Sequence, residues 1–232
     1  DIKSNILFKY LISIFLISFI SLLLIAQPDI GQTLLVIFCW AVLIFTSGIN
    51  IYILLAIFIA GASLLTYLII YVPRFDYIQG RIFSFFNRET GTHNFQSDKA
   101  IESITSGGFF GKGIGEGVLK NRVPEAHTDY IISVISEEFG VVAIMLILLL
   151  FLILIYMVFK KISFETNDKV KLILIGSISL ILMQATIHIG VNIRLFPTTG
   201  MTLPFLSYGG SSIISTSILA GIILNLTKRK IT

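Results

Sequence analysis

The sequence predicts an all-α integral membrane protein of six transmembrane helices, with one large, partly helical extracytoplasmic loop between the third and the fourth. Three observations carry that expectation. Apolar residues fill 55% of the 232 positions and charged residues only 13%, far below the roughly 25% charge of a soluble domain. Apolar runs reach or approach the roughly 20 residues that a spanning helix needs. One long polar stretch, 73–130, separates two sets of such runs.

Spans are expected at about 6–26, 31–48, 50–72, 138–159, 170–192 and 205–226. Only short links join the first three, Gln27-Pro28-Asp29-Ile30-Gly31 and Ser47-Gly48-Ile49-Asn50. The chain therefore divides into three helices over 1–72, a loop over 73–130, and three helices with a short basic tail over 131–232. The single cysteine, Cys39, lies inside an apolar run and has no partner for an intrachain disulfide. The chain opens on Asp1, and no signal-peptide pattern precedes its first apolar run, as expected of the later part of a longer protein.

Basic residues in the short loops and tails set the orientation. Lys3 and Lys9, then Lys160, Lys161, Lys169 and Lys171, then Lys228-Arg229-Lys230 fall on one side of six alternating spans, which is expected to be the cytoplasm. Segment 73–130, the Asp29 link and the turn at Pro197 then lie outside. Within that segment Phe75, Tyr77, Ile78, Ile82, Phe83, Phe85 and Phe86 are too apolar for a free loop and read as an amphipathic stretch on the membrane. Residues 97–106 fit a short helix, ended by a glycine run.

The chemistry concentrates in Pro124-Glu125-Ala126-His127-Thr128-Asp129-Tyr130. A carboxylate at a membrane edge is costly to keep and marks a candidate functional site. Asp129 has two readings. Thr128 or Asp129 can be the N-cap of the helix that follows, or Asp129 can be a partly desolvated general base that takes a proton from a sugar hydroxyl. Glu125 and His127 are placed to orient or tune it. Glu137 and Glu138 come two turns further on. At least one should face a polar cavity or a cation, so an ion pair with Arg81, Lys112 or Arg122 stands beside a catalytic role.

Gly107-Gly108-Phe109-Phe110-Gly111-Lys112-Gly113-Ile114-Gly115 precedes that segment. Glycines such as Gly111 and Gly113 let a backbone approach a ligand. Arg81, Arg88, Lys112, Lys120 and Arg122 form a pool for gripping phosphate, or for plain headgroup contact. The glycine spacing follows no strand and is not a dinucleotide fingerprint, and no nucleic-acid partner is expected. No cluster of acids and histidines has convincing metal-ligand spacing. The last span opens with Leu203-Pro204-Phe205-Leu206-Ser207-Tyr208-Gly209-Gly210-Ser211-Ser212. Helix packing and a polar cavity are the two expected uses of Asn192, Pro197, Ser207, Tyr208, Gly209, Gly210 and Ser211, with Gly209-Gly210 opening the helix.

Four segments together resemble one family. They are Gln27-Pro28-Asp29-Ile30-Gly31; Gly107 to Gly113; Pro124 to Tyr130 with Glu137-Glu138-Phe139-Gly140; and Pro197-Thr198-Thr199-Gly200-Met201-Thr202-Leu203-Pro204-Phe205 through Ser212. In order and spacing they look like the SEDS proteins (shape, elongation, division, sporulation), over essentially the whole chain. The Pro197 turn and Gly115-Glu116-Gly117 are nearer the division branch than the elongation branch. The resemblance implies spans five to ten of a roughly ten-span fold in the bacterial cytoplasmic membrane, at the septum. It also implies a peptidoglycan glycosyltransferase that polymerises lipid II and releases undecaprenyl pyrophosphate. Its expected partners are a class B penicillin-binding transpeptidase and other divisome membrane proteins. The family's catalytic carboxylate falls on Asp129, with Mg²⁺ or Mn²⁺ as a possible aid, and the piece alone is expected to be inactive.

The chain departs from the family pattern at Phe95-Gln96, Lys99-Ala100, Arg194 and Thr199. The family's turn usually carries a lysine where Thr199 stands, and Arg194 is a candidate to replace its charge. Two rival functions stay open, a lipid II flippase and a non-catalytic divisome scaffold.

Overall fold

A computed structural model describes residues 2–86, 92–118 and 123–228, and every regular element among them is helical. In chain order these are α1 (Ile2–Ala26), α2 (Ile30–Thr46), α3 (Ile51–Tyr71), α4 (Asp76–Phe86), α5 (Thr92–Gly107), α6 (Ile131–Phe164), α7 (Asp168–Asn192) and α8 (Gly210–Thr227). A 3₁₀ turn, Pro73–Phe75, leads into α4. Side chains of the preceding residue start three of the apolar helices. Asp29 accepts from Gln32 N, Asn50 from Tyr52 N and Asn167 from Lys169 N, which satisfies N–H groups that have no partner within the helix.

By length and composition α3, α6, α7 and α8 can each cross a membrane, while Tyr10–Ala26 and α2 are shorter apolar helices. The protein is a multi-pass membrane protein. α7 is the centre of the arrangement and packs against α2, α5, α6 and α8. Two cores meet on it. One, with Ile132, Phe151, Leu174, Ile178, Ile181 and Ile223, locks α6, α7 and α8 together. The other, with Leu35, Ala100, Val134, Ile187 and Val191, joins α2, α5, α6 and α7 and takes in Val123, Ala126 and Tyr130 from the segment ahead of α6.

The apolar stretch 75–86 is the short helix α4, and the helix expected over 97–106 is the longer α5. α6 begins at Ile131, where the sequence places the start of a helix ahead of the span at 138–159, and it is broken at Gly140, whose φ of 76° and ψ of −176° are not helical. One boundary differs from expectation. α8 begins at Gly210 rather than 205, because Leu203–Gly209 is irregular. Phe205 sits there at φ 68°, and Leu203 N–H donates to Ser207 Oγ at 2.7 Å. Gly209-Gly210 therefore starts a helix and does not open one.

Candidate functional site

The segment before α6 is a tight turn built on a strained residue. Glu125 has φ 54°, a left-handed conformation that disfavours any residue with a Cβ. Its carbonyl accepts from the main-chain N–H groups of Thr128 and Asp129 at 3.1 Å and Tyr130 at 3.3 Å. Val123, Ala126 and Tyr130 turn inward to the core. That leaves Glu125 and His127 exposed and Asp129 half-buried.

Three consecutive carbonyls of this turn are each held by the C-terminal part of the chain. Tyr208 N donates to His127 O at 2.9 Å, Ser207 Oγ to Thr128 O at 2.7 Å, and Asn192 Nδ2 to Asp129 O at 2.9 Å. Asn192 ends a polar ladder on one face of α7, spaced by four residues. Gln184 Nε2 donates to Thr202 O at 2.9 Å, and His188 Nδ1 donates to Met201 O at 2.7 Å. All three side chains are buried. Gln184 and His188 were not among the expected site residues, although their spacing along an apolar run is the signal that marks them.

The Asp129 carboxylate itself has no hydrogen bond among the described residues. The N-cap residue of α6 is Tyr130, which makes no side-chain capping bond, and Thr128 Oγ1 donates instead to Glu125 Oε2 at 2.9 Å. Neither Thr128 nor Asp129 caps α6, which corrects the capping reading. Burial raises the Asp129 pKa above its ordinary 3.8; the charge of Glu125 adds to this and that of Arg81 opposes it. A Cβ built on Gly200 would stand 3.5 Å from Asp129 Oδ2, so the Pro197 turn lies against the carboxylate.

Arg81 ties α4 to that turn by donating to Thr198 O at 3.3 Å. It lines a cleft with Ser84, Ser97, Arg194, Pro197 and Thr198. Arg194 is also in this cleft, but its guanidinium is bonded to Asp98 on α5. Arg194 therefore fastens α5 to the end of α7, with its charge paired to Asp98 beside the Pro197 turn.

The glycine loop has a different neighbour from the one expected. It wraps the break in α6. Lys112 N donates to Glu137 O at 2.9 Å and Gly113 N to Glu138 O at 3.0 Å, while Val141 N donates to Gly108 O at 3.0 Å. A Cβ on Gly107 would lie 1.9 Å from Ser136 O, and one on Gly111 2.2 Å from Glu138 O. The close approach that Gly107 and Gly111 permit is to the protein's own backbone. Gly113 takes φ 109° to turn the chain.

Both acids of α6 serve this seam. Glu137 is fully buried, with Lys112 Nζ at 3.4 Å from Oε1 and Ser103 Oγ donating to Oε2 at 3.1 Å. Of the two open readings for Glu137, the ion pair is the one seen. Glu138 Oε1 accepts from Gly115 N at 3.2 Å. Ser103 was a further residue not expected. Lys120, Arg122 and Arg88 lie outside the described residues. Gly210 and Ser211 are exposed and Gly209 half-buried. Among the described residues no three His, Cys, Asp or Glu side chains come together to hold a metal ion.

With this geometry in place, comparison with known proteins is decisive for the family. Residues 2–231 match the FtsW/RodA/SpoVE model, described as cell cycle proteins. The chain belongs to this family, the SEDS proteins. Among curated SEDS relatives it is similar to proteins named probable peptidoglycan glycosyltransferase FtsW. That of Caulobacter vibrioides is 36% identical over 93% of this chain and 55% of the relative. That of Francisella salina is 38% identical over 91% and 53%, and that of Enterococcus hirae 32% identical over 96% and 59%. The chain thus spans about half the length of the curated relatives it matches. Two solved structures share the fold. One, from work on coordinated polymerization and crosslinking by a peptidoglycan synthase complex, has a TM-score of 0.73 at 29% identity, over 94% of this chain and 60% of that one. The other, the Thermus thermophilus rod shape determining protein RodA, has a TM-score of 0.60 at 28% identity, over 95% and 56%.

Proposed function

We propose that the complete protein carrying this sequence is a peptidoglycan glycosyltransferase that polymerises lipid II during cell division, with Asp129 as its general base. The observation that carries this reading is the contrast within one residue. The Asp129 main chain is held by Asn192, while its carboxylate is half-buried and without a hydrogen bond among the described residues. A fixed backbone under an uncommitted, desolvated carboxylate is the arrangement a base needs.

In the proposed step the GlcNAc 4-hydroxyl of the acceptor gives its proton to Asp129 as the oxygen attacks the anomeric carbon of the donor MurNAc. A C–O bond forms there, the bond to the diphosphate breaks, and undecaprenyl pyrophosphate leaves, with inversion. Negative charge grows on the leaving group, so a cation beside it lowers the barrier. Arg81, whose charge acts on Asp129, is the described residue best suited. Lys120 and Arg122 remain candidates, whereas Lys112 is engaged by Glu137. A divalent cation would supply charge neutralisation of the diphosphate, and Glu125, an exposed carboxylate beside Asp129, would meet it together with substrate phosphates while leaving the base free.

The reading extends to topology and partners. Six spans cross the cytoplasmic membrane, with 1–72 and 131–232 as the helical parts and 73–130 outside, and the protein works at the septum with a class B penicillin-binding transpeptidase and other divisome proteins. The test is a pair of assays on the full-length protein with that partner. Glycan strands from lipid II in detergent, where no leaflets exist, are the expected result. Lipid II crossing vesicles without strand formation favours a flippase, and neither activity favours a scaffold.

A further inference from the structure

We infer that Phe109 and Phe110, at the tip of the glycine loop, insert into the membrane interface and anchor the loop to the bilayer. Both rings stand largely clear of the other described residues: Phe109 is 76% exposed and Phe110 84%, and Ile114 nearby is 79% exposed. Adjacent apolar groups this open mark an interaction surface. Their level along the membrane normal follows from α6. Residues 141–159 make about 28 Å of helix, and the polar residues Lys160 and Lys161 follow directly. That length matches a hydrocarbon core of about 30 Å, with its opposite edge at the Gly140 break.

The loop is stitched to that break. Val141 N donates to Gly108 O and Val142 N to Phe109 O, at 3.0 and 3.3 Å. The exposed apolar surface of α6 begins at the same place, with Val142, Met145 and Leu146. The two phenylalanines are therefore continuous with a surface that faces lipid tails, at the depth where apolar side chains of interfacial segments sit. This inference does not depend on the activity of Asp129. It explains why the loop has rigid glycine contacts on one side and bare aromatics on the other. The chain that binds Glu137 and Glu138 on one face would grip the bilayer with the other, and would fix the height of the site above the lipid.

The test uses full-length protein in lipid vesicles, in a background without other reactive cysteines. Phe110→Cys and, as a control on α5, Glu102→Cys are each labelled with a small environment-sensitive fluorophore. The expected result is quenching of the label at 110 by shallow doxyl lipids at least twofold stronger than at 102, with protection from aqueous iodide. Equal iodide quenching at the two positions would overturn the inference, since the loop would then lie in water. Protection from both quenchers would also overturn it, because another protein surface would then cover the rings.

Discussion

The side-chain amide of Asn192 donates to the main-chain carbonyl of Asp129 at 2.9 Å and, with the same nitrogen, to His188 O at 2.9 Å. Asn192 is fully buried, so loss of the amide leaves buried acceptors without a partner, which costs about 1–3 kcal/mol. Asn192→Ala is expected to lower the Tm of the purified protein. It should also slow glycan polymerisation by between about 10- and 100-fold, because a base displaced by a fraction of an ångström is misaligned. Asn192→Asp, of the same shape but without amide hydrogens, should do no better. Full activity in either variant would remove Asn192 from the positioning of Asp129.

The acidic limb of the pH–rate profile should move in opposite directions for two neighbours. A general base acts in its ionised form. Glu125 raises the Asp129 pKa and Arg81 lowers it. Glu125→Gln should thus shift the limb to lower pH and Arg81→Gln to higher pH. A shift of both variants in one direction contradicts the assignment.

Gly140→Ala is expected to disrupt the seam between the glycine loop and α6. The backbone there has φ 76° and ψ −176°, a region that is essentially glycine's alone and costs another residue about 1–3 kcal/mol. The new Cβ would also lie 2.2 Å from Phe109 O. Thermal melting in detergent should show a clear loss of stability, with faster proteolysis in residues 107–118. A variant as stable and resistant as the parent would contradict this packing.

The pair Lys112 and Glu137 gives an asymmetric prediction. Glu137 is fully buried and Lys112 side chain 37% exposed. Lys112→Ala takes an ion-pair partner from a buried carboxylate that Ser103 still holds, whereas Glu137→Gln leaves an ammonium that can turn to water. Lys112→Ala should therefore be the more destabilising, by about 1–3 kcal/mol because part of the pair is screened. Combining the two should recover part of the loss. Strict additivity in a thermal-melt cycle would show the two residues to be uncoupled.

Much of this was legible in the sequence, and the missing part has physical causes. Membrane-length helices follow from hydropathy, and α4 and α5 from local pattern. Asp129 was singled out by its charge beside an apolar run. The break at Gly140 was hidden because a lone glycine in a helical pattern is usually tolerated. The glycine loop suggested a ligand because glycine reports close approach without saying to what. The role of Arg194 could not be read locally, since its partner Asp98 lies on another element. Of the ladder Gln184, His188 and Asn192 only Asn192 was singled out, and the acceptors at Thr202, Met201 and Asp129 exist only once α7 is packed.

The most direct test of the central claim is Asp129→Asn in the full-length protein with its transpeptidase partner, read by glycan strand formation and by thermal melting together. Burial raises the pKa of this carboxyl in the folded state. Its contribution to stability is full below the unfolded pKa and is lost as pH rises through the folded one, so at neutral pH the ionised group weighs against folding. The account predicts a Tm equal to or above that of the parent, with strand formation reduced by roughly 10²–10⁴-fold. Strand formation at the parent's rate by the folded Asn variant would contradict it.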